Sequence, residues 1–329
     1  MPELTSFSCT QGFYYEFADQ IVKKSVVTLE KLRYGWSCGG GFKDFLFDDD
    51  GQVIVYPRLR DLRVFDSSDD KGELMTDKSI VPFPALRRLG MYSSCVFKDD
   101  TLFRGFNGTL ACLDIGLRRD IVDISQTYKV FSQGACPNLS HIIVRYDVRR
   151  GLTLSYDEYI EAAFGLVSLA TQSMTINGFI PYQHIKGVIP TCPYLDNIQI
   201  LILKTSLSLL EVLDIFKYFP HVTDFGCSFR RIDSELVAIQ DKLIPSHLGT
   251  RYSRFVSRLK CWHMYYSGGA SVEEMAVLFV TLAVLCPSFT YVDEWKNNRE
   301  AYGSKIEYIL SSGLYDQHAK RLGNLFKSR

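Results

Sequence analysis

The chain has 329 residues, of which 47% are apolar and 13% aromatic, so it can bury a large hydrophobic core. Its 37 basic and 37 acidic side chains give a formal net charge of zero, whereas nucleic-acid-binding proteins usually have a basic excess. The longest apolar run, 275–286, is roughly a dozen residues long where a membrane-crossing helix needs about 20, so neither nucleic acid nor membrane is a predicted partner.

A short apolar pattern recurs along the chain and predicts its secondary structure. Each copy places apolar residues at offsets 0, 3 and 5, as in Leu86, Leu89 and Met91. Dipeptides of Cys, Tyr or Phe followed by proline precede many copies, and 27 residues separate Pro57 from Pro84. Leucine-rich repeats have periods of about 20–29 residues. Because one such unit cannot bury its apolar side alone, stacked units are expected to form a continuous core.

In chain order, a short amphipathic helix over 13–27 caps the amino-terminal end, about nine or ten repeats fill 28–295, and a helical cap covers 300–326. The strands that carry the three offsets contain Leu29, Leu32 and Tyr34; Leu59, Leu62 and Val64; Leu86, Leu89 and Met91; Leu110, Leu113 and Ile115; Leu139, Ile142 and Val144; Leu195, Ile198 and Ile200; Val222, Phe225 and Cys227; and Val256, Leu259 and Cys261. Two further strands are predicted at 173–177 and at Phe289 and Val292. Helices are predicted between strands at 99–103, 121–131, 155–170, 181–189, 208–218, 234–243 and 271–286.

Three of these helices begin with a capping box, in which a serine accepts from a backbone N–H three residues on and a glutamate reaches back. The boxes are Ser155–Glu158, Ser208–Glu211 and Ser271–Glu274. Strands that alternate with helices predict parallel pairing, with helices on the outer face. The predicted fold is therefore α/β: a leucine-rich-repeat-like solenoid, with a curved parallel sheet on the concave side and helices and loops on the convex side, as a single domain over 1–329.

The nine cysteines are scattered and contain no C-x-x-C pair, so the sequence does not predict a zinc finger or ribbon. Cys136, Cys192 and Cys286 each precede a proline, at a position that holds Tyr or Phe in other repeats. This exchange is typical of a packing position, where a reduced thiol behaves as a small hydrophobe. Reduced cysteines favour a cytoplasmic or nuclear location.

No catalytic, cofactor-binding or metal-binding constellation is recognised in the sequence. The acidic segment 48–51 is predicted to be a solvated turn, because an EF-hand alignment would place Leu46 at position 1 and Pro57 at position 12. Gly39–Gly41 is not followed by the lysine and hydroxyl residue of a phosphate-binding loop. The six histidines are dispersed, and His263 is predicted to be a strand residue rather than a base.

Because side chains alternate along a strand, residues at offsets 4 and 6 are predicted to lie on the concave surface. Arg, Tyr and Trp are enriched among residues that dominate binding energy. The candidate partner-binding residues are Arg63, Phe65, Tyr92, Asp114, Arg145, Gln199, Lys260 and Trp262, with Gly90, Gly116, Ile143 and Leu201 at the same offsets. Alanine at Arg145 and Trp262 is expected to abolish partner capture without unfolding the chain. The alternative is that these positions form ordinary surface, with aromatic side chains lying against neighbouring strands and no partner bound.

The units L-R-D-L-R-V, F-P-A-L-R-R-L-G-M, L-A-C-L-D-I and C-P-N-L-S-H-I-I-V resemble irregular leucine-rich repeats of the ribonuclease-inhibitor-like type. More narrowly, Y-P-R-L-R-D-L-R-V, F-K-D-D-T-L-F-R-G-F-N-G-T-L-A-C-L and R-L-K-C-W-H-M resemble the repeat region of fungal F-box/leucine-rich-repeat proteins, over most of residues 25–295. In that family an amino-terminal F-box recruits a ubiquitin-ligase core and the repeats present the substrate. About 25 residues precede Leu29, fewer than an F-box occupies, so the resemblance implies a substrate-receptor relative without a recognisable F-box.

The predicted function is a non-enzymatic protein–protein interaction module that binds a protein partner on its concave face. Where an F-box is supplied elsewhere, the resemblance implies a ubiquitin-ligase adaptor as a second partner. The alternatives are an enzyme with a loop-built site on the same scaffold and a diverged paralogue without a retained partner. No cofactor is predicted.

Overall fold

The computed structural model describes residues 4–9, 15–34, 43–64, 80–92, 108–117, 136–146, 155–166, 172–178, 180–191, 195–229, 259–264, 291–292, 304 and 307. The chain divides into two compact units, unit 1 over Met1–Thr171 and unit 2 over Gln172–Arg329. The sequence predictions that lie outside the described residues are Gly39–Gly41, Phe65, Cys192, Val256, Phe289, the helices at 99–103, 121–131, 234–243 and 271–286 (with its capping box and Cys286), and all of the cap at 300–326 except residues 304 and 307. The single solenoid over 1–329 stays a prediction.

Parallel strands form unit 1, and they pair in chain order. They are β1 (Ser6–Cys9), β2 (Lys31–Tyr34), β3 (Asp61–Val64), β4 (Arg88–Tyr92), β5 (Cys112–Leu117) and β6 (His141–Tyr146). Strand β1 was not predicted, although Leu4, Phe7 and Cys9 carry apolar residues at offsets 0, 3 and 5. The other five strands confirm the predicted positions, and their parallel pairing confirms the predicted direction.

Unit 2 has the same arrangement of parallel strands in chain order. They are β7 (Ser173–Asn177), β8 (Ile200–Leu207), β9 (Asp224–Phe229), β10 (Cys261–Met264) and β11 (Tyr291–Val292). Strand β7 has the predicted bounds. Consecutive parallel strands require a crossover between each pair. The helix Tyr182–Val188 lies between β7 and β8, and the helix Leu209–Phe216 lies between β8 and β9.

The described helices of unit 1 are α1 (Tyr15–Lys24), α2 (Lys43–Leu46) and α3 (Tyr156–Gly165), and those of unit 2 are α4 (Tyr182–Val188) and α5 (Leu209–Phe216). Short 3-10 helices span Ile189–Thr191 and Leu195–Asn197. Helix α3 ends at Gly165, earlier than the predicted residue 170, and α2 was not predicted. The remaining helices agree with their predicted positions to within a few residues.

The residues at offsets 0, 3 and 5 form the core of each repeat, as predicted, in β2 to β6 and in β9. None of these side chains is more than 4% exposed: Leu29, Leu32, Tyr34, Leu59, Leu62, Val64, Leu86, Leu89, Met91, Leu110, Leu113, Ile115, Leu139, Ile142, Val144, Val222, Phe225 and Cys227. Two of the described helices pack on this side of the strands, one in each unit. In unit 1 the Tyr159 hydroxyl of α3 donates to the Val144 carbonyl at 3.3 Å. In unit 2 the rings of Phe216 on α5 and Phe225 on β9 pack edge to face, with centroids 4.9 Å apart. The opposite strand face is therefore the one left for polar side chains.

The position before proline is a packing position, as predicted. Tyr56, Phe83, Cys136 and Phe219 are all buried. The Tyr56 and Phe83 rings lie 5.6 Å apart, and the Tyr56 hydroxyl donates to the Phe45 carbonyl at 2.8 Å. Burial raises the pKa of the Cys136 thiol to about 11, so this group stays protonated at neutral pH and behaves as an apolar side chain.

The acidic segment 48–51 is a solvated turn, as predicted. The Asp48 carboxylate accepts from the backbone N–H groups of Asp50 and Gln52 at 3.0 and 2.7 Å, which is the usual local bonding of an aspartate in a turn. Gly51 has φ of 76°, a conformation that favours glycine. The three carboxylates of this segment are exposed.

In β8 the predicted frame, meaning the assignment of residues to the core offsets 0, 3 and 5, is wrong by three residues. Leu201 aligns with Phe225 of β9 and is fully buried, and Leu203 is buried with it, whereas Ile200 is half-buried. The core offsets of this repeat are therefore Ile198, Leu201 and Leu203. The run I-Q-I-L-I-L carries apolar residues at both alternate sets of positions, so strand periodicity alone does not choose between them.

The predicted frame of β10 is also wrong by three residues. Trp262 aligns with Phe225 and is fully buried, with ring centroids 5.2 Å apart, while Cys261 is half-buried. Leu259 and Trp262 therefore occupy offsets 0 and 3, and Met264 aligns with Cys227 at offset 5, where the sequence predicted Val256, Leu259 and Cys261. Both sets fit the apolar pattern, and the observed frame buries the much larger indole.

Both predicted capping boxes within the described residues are present. Ser155 Oγ accepts from the Glu158 N–H at 3.3 Å and Glu158 Oε2 accepts from the Ser155 N–H at 2.7 Å. Ser208 and Glu211 repeat the pair at 3.3 and 2.8 Å. Each box satisfies two backbone donors that a helix end would otherwise leave unpaired.

We expect Ser208→Ala to lower the free energy of unfolding by about 1 kcal/mol, because the first turn of α5 loses its side-chain acceptor. Ser206→Ala, two residues earlier on β8, is the control and should change stability by less than about 0.5 kcal/mol. Urea denaturation followed by circular dichroism measures both. Equal effects of the two variants would contradict a stabilising role for the cap.

Candidate functional site

The candidate site is the strand face of unit 1 that lies opposite the core. Side chains at the same offset form rows across the sheet, because neighbouring strands are in register and about 4.8 Å apart. The row at offset 2 contains Lys31, Asp61, Arg88, Cys112 and His141, and the row at offset 4 contains Arg33, Arg63, Gly90, Asp114 and Ile143. We define the polar strand face as Lys31, Arg33, Asp61, Arg63, Arg88, Asp114 and Arg145.

Asp61 organises one half of this face. The Arg63 guanidinium donates to both Asp61 carboxylate oxygens, at 3.0 and 3.1 Å. The two residues are two positions apart on β3, so their side chains share one face. Arg33, on the neighbouring strand, reaches the same carboxylate at 3.7 Å. The Asp61 carboxylate therefore orients Arg63 and lies near a second guanidinium group, that of Arg33.

Asp114 organises the other half, and it is fully buried. Its carboxylate accepts from Arg145 Nε and Nη2 at 2.5 and 2.7 Å, a bidentate pair. Arg88 approaches from the opposite side, with its Nη2 atom 3.8 Å from the carboxylate. The Asp114 side chain is 0% exposed, while those of Arg145 and Arg88 are 36% and 33% exposed. The two arginines therefore cover a carboxylate that has no contact with solvent.

Two glycines make room for this cover. Gly90 on β4 aligns with Asp114 on β5. Gly116 lies two residues after Asp114 on β5 and aligns with Arg145 on β6. Neither carries a side chain on the polar face, so the Arg145 side chain can lie across Gly116 to reach Asp114. A larger residue at position 116 would stand between these two side chains.

Arg88 is held less completely than Arg145. Its Nε atom is buried and, within the part of the chain that the structure describes, has no hydrogen-bond acceptor. An unpaired buried donor raises the free energy of the folded chain. Arg88 is therefore less completely paired than Arg145, which makes two hydrogen bonds to Asp114.

The polar strand face is locally basic although the whole chain is neutral. It holds five cationic side chains and two carboxylates. Because Asp61 and Asp114 hold Arg63 and Arg145 in bidentate ion pairs, these two guanidinium groups are ordered before any partner arrives. An ordered basic face is suited to recognise carboxylates.

Cys112 lies at offset 2 beside Arg88 and Asp114. Burial raises the pKa of its thiol, and the raising effect of burial outweighs the lowering effect of Arg88. The thiol is therefore protonated at neutral pH and lacks the thiolate character of a reactive cysteine.

Three of the predicted site residues lie on the polar strand face. Asp114 and Arg145 contact each other, and Arg63 contacts Asp61. Tyr92 belongs to β4, but the described part of the structure does not extend to its side chain, and Phe65 lies outside the described residues.

The predicted site residues of unit 2 do not occupy the predicted positions. Gln199 is exposed but precedes β8 at offset 1, where its carbonyl accepts from the Thr223 and Asp224 N–H groups at 2.8 and 3.1 Å. Leu201 and Trp262 are core residues. Lys260 is exposed at offset 1, and its N–H donates to the Thr223 carbonyl at 2.7 Å. These corrections follow from the frame shifts of β8 and β10.

Sequence reasoning missed Lys31, Arg33, Asp61 and Arg88 as members of the face. Three of them stand at offset 2, which shares a face with offsets 4 and 6 because strand periodicity is 2. The missing signal is the alternation of Arg and Asp at aligned positions, as in R-D-L-R and L-R-R-L.

Within the described ranges, the helices are too short or too polar to cross a membrane. No protein-family model matches the chain, and a search of curated proteins found no significant similarity.

Proposed function

We propose that this protein is a non-enzymatic, leucine-rich-repeat-type interaction module that binds an acidic segment of a protein partner through the polar strand face. The observation that carries the proposal is the ordered group of arginines held by Asp61 and by the buried Asp114. Arginine is enriched among residues that dominate binding energy at interfaces. A guanidinium group that is already oriented loses less entropy on binding than a mobile one.

The solenoid itself is part of the proposal. It is supported by parallel strands in chain order, by buried apolar offsets in successive repeats, and by a spacing of 27 residues between Pro57 and Pro84. Repeat proteins of this kind commonly bind partners along an extended strand surface. The polar strand face would then belong to the concave side.

A protein partner fits the face better than nucleic acid does. Phosphate groups along a backbone carry closely spaced negative charges. Asp61 and Asp114 lie among the cations, within hydrogen-bond distance of Arg63 and Arg145, and would repel such a backbone. Individual carboxylates of a protein segment can instead approach Lys31, Arg33 and Arg88.

The resemblance to F-box/leucine-rich-repeat proteins extends the proposal to a second partner. Where an F-box is supplied elsewhere, the chain would present its bound protein to a ubiquitin ligase.

Cys112, Cys136 and Cys227 carry free thiols, which supports a reducing compartment, the cytoplasm or nucleus.

The test compares two charge-reversal variants of the full chain as baits in affinity purification with mass spectrometry. Lys31→Glu with Arg33→Glu changes the exposed edge of the polar strand face. Lys24→Glu with Arg58→Glu makes the same change in charge at exposed positions of unit 1 outside the strands. We expect partners captured by the unmodified chain to bind the first variant at least about tenfold more weakly and the second normally.

Salt provides a second measurement on any captured partner. Because the proposed contacts are charged and partly exposed, raising the salt concentration should weaken binding. Equal capture by both variants would contradict the proposed surface. The same purification shows whether ubiquitin-ligase adaptors are bound, and their absence would remove the second partner but not the first.

A further inference from the structure

We propose that Asp224, Cys261 and His263 in unit 2 form a binding site for a divalent transition metal of the zinc class. Strand register brings these three residues together. Cys261 on β10 aligns with Asp224 on β9, and His263 follows two positions after Cys261. Residues two apart on a strand face the same way, and aligned residues on neighbouring strands are adjacent.

Trp262 explains why the cysteine and the histidine share the polar face. Its indole is fully buried and packs edge to face against Phe225. Since side chains alternate along a strand, the flanking Cys261 and His263 must point away from the core. Phe225 similarly directs the neighbouring Asp224 to that face. All three proposed ligands are half-buried, which leaves an ion access to them.

The separations are close to those that a metal requires. Cys261 Sγ and His263 Nε2 are 3.7 Å apart, and one ligand atom from each of the three residues lies within 4.8 Å of the others. With zinc–sulfur and zinc–nitrogen bonds of about 2.3 and 2.1 Å at a tetrahedral angle, the two ligand atoms stand about 3.6 Å apart. The sulfur and nitrogen are therefore already at the required separation, and the carboxylate oxygen lies no more than 4.8 Å from either of them.

The donor set identifies the class of metal. Thiolate and imidazole select zinc and related transition metals, whereas calcium and magnesium require oxygen ligands. Three protein ligands leave a fourth tetrahedral position for water. The carboxylate is also oriented, because Thr223 Oγ1 donates to Asp224 Oδ2 at 2.6 Å. Hydrogen bonds of this kind position metal ligands and raise their affinity.

The competing explanation is an ordinary polar contact, in which the Cys261 thiol and the His263 imidazole share a weak hydrogen bond at 3.7 Å. The two explanations differ in what happens when metal is added. A metal site binds one ion in a manner that depends on all three side chains. A polar contact gives no binding that depends on them.

The experiment titrates Zn²⁺ and Co²⁺ into the reduced full chain, with calorimetry for Zn²⁺ and absorbance for the thiolate-to-cobalt charge-transfer band. Cys261→Ser should abolish the charge-transfer band and weaken Zn²⁺ binding at least about tenfold. Asp224→Asn should weaken Zn²⁺ binding to a similar degree while retaining the band. Zn²⁺ should raise the Tm of the unmodified chain and not that of Cys261→Ser.

Cys112→Ser is the matched control, since Cys112 is a half-buried cysteine at the same offset of a unit 1 repeat. It should retain both the band and the affinity of the unmodified chain. Circular dichroism confirms that each variant is folded, and Asp224→Asn tests the site without changing a thiol. The proposal is overturned if the unmodified chain binds no metal, or if Cys261→Ser and Asp224→Asn bind as it does. Equal loss of binding in Cys112→Ser would overturn it as well.

Discussion

Trp262→Ala should lower the free energy of unfolding by about 3–5 kcal/mol, because it removes a large aromatic side chain from a core that cannot fully close around the space. Trp262 is the largest of the fully buried side chains that the structure describes. Its ring contacts Phe225 on the neighbouring strand, which in turn contacts Phe216 on α5. The loss therefore affects both the sheet and the helix that covers it.

Lys260→Ala is the control for this prediction. Lys260 is exposed and lies two residues earlier, so its replacement should change stability by less than about 0.5 kcal/mol. Urea denaturation followed by circular dichroism measures both variants. If Trp262→Ala is no more destabilising than Lys260→Ala, Trp262 is a surface residue and the described frame of β10 is incorrect.

The buried position of Trp262 changes how its variants are interpreted. The sequence predicts that Ala at this position abolishes partner capture without unfolding the chain, and the burial of Trp262 makes it a core residue instead. Loss of capture by Trp262→Ala would therefore report the loss of the fold. Exposed residues such as Lys31 and Arg33 are the appropriate probes of binding.

Arg145→Ala should destabilise the protein by about 3 kcal/mol, because it leaves the buried Asp114 carboxylate without its bidentate partner. The expected value is at the low end for a broken buried pair because Arg88 remains near Asp114, at 3.8 Å. This result also differs from the sequence-based expectation that Ala at Arg145 leaves folding intact. Arg145 supports the face as well as forming part of it.

Two further variants separate this effect from simple loss of a surface charge. Arg33→Ala removes an arginine that is about half exposed and 3.7 Å from Asp61, so it should change stability by about 0–1 kcal/mol. Arg145→Ala combined with Asp114→Ala leaves no unpaired buried carboxylate. The double variant should therefore be more stable than the sum of the single effects predicts, by at least about 1 kcal/mol. Strict additivity would show that the two side chains do not interact.

Much of the fold could be predicted from the chain because local and repeated signals agree. In β5, Leu113 and Ile115 alternate with Cys112 and Asp114, so one set of alternate positions is apolar, and the predicted burial of Leu113 and Ile115 is confirmed. The capping boxes are equally local, because Ser155 and Glu158 satisfy each other's backbone within one turn. Such signals require no knowledge of neighbouring repeats.

The candidate site was predicted only in part, because its members come from different repeats. Asp114 and Arg145 were identified separately from their offsets, but their bidentate contact depends on the register of β5 and β6 and on the absence of a side chain at Gly116. Arg88 and Asp61 were missed because offset 2 was not assigned to the polar face. Likewise, Asp224 and His263 are 39 positions apart along the chain, and only the pairing of β9 with β10 makes them neighbours.

The amino-acid sequence by itself determined the positions of most described strands and their parallel direction, since the spacing of leucines and prolines is a property of the chain alone. The tertiary structure decided the frame of β8 and β10, where both alternate sets of positions carry apolar residues. In β8, Leu201 rather than Ile200 is buried, because Leu201 aligns with the buried Phe225 of β9. In β10, Trp262 rather than Cys261 aligns with Phe225, and burying the indole removes more apolar surface from water than burying the thiol would.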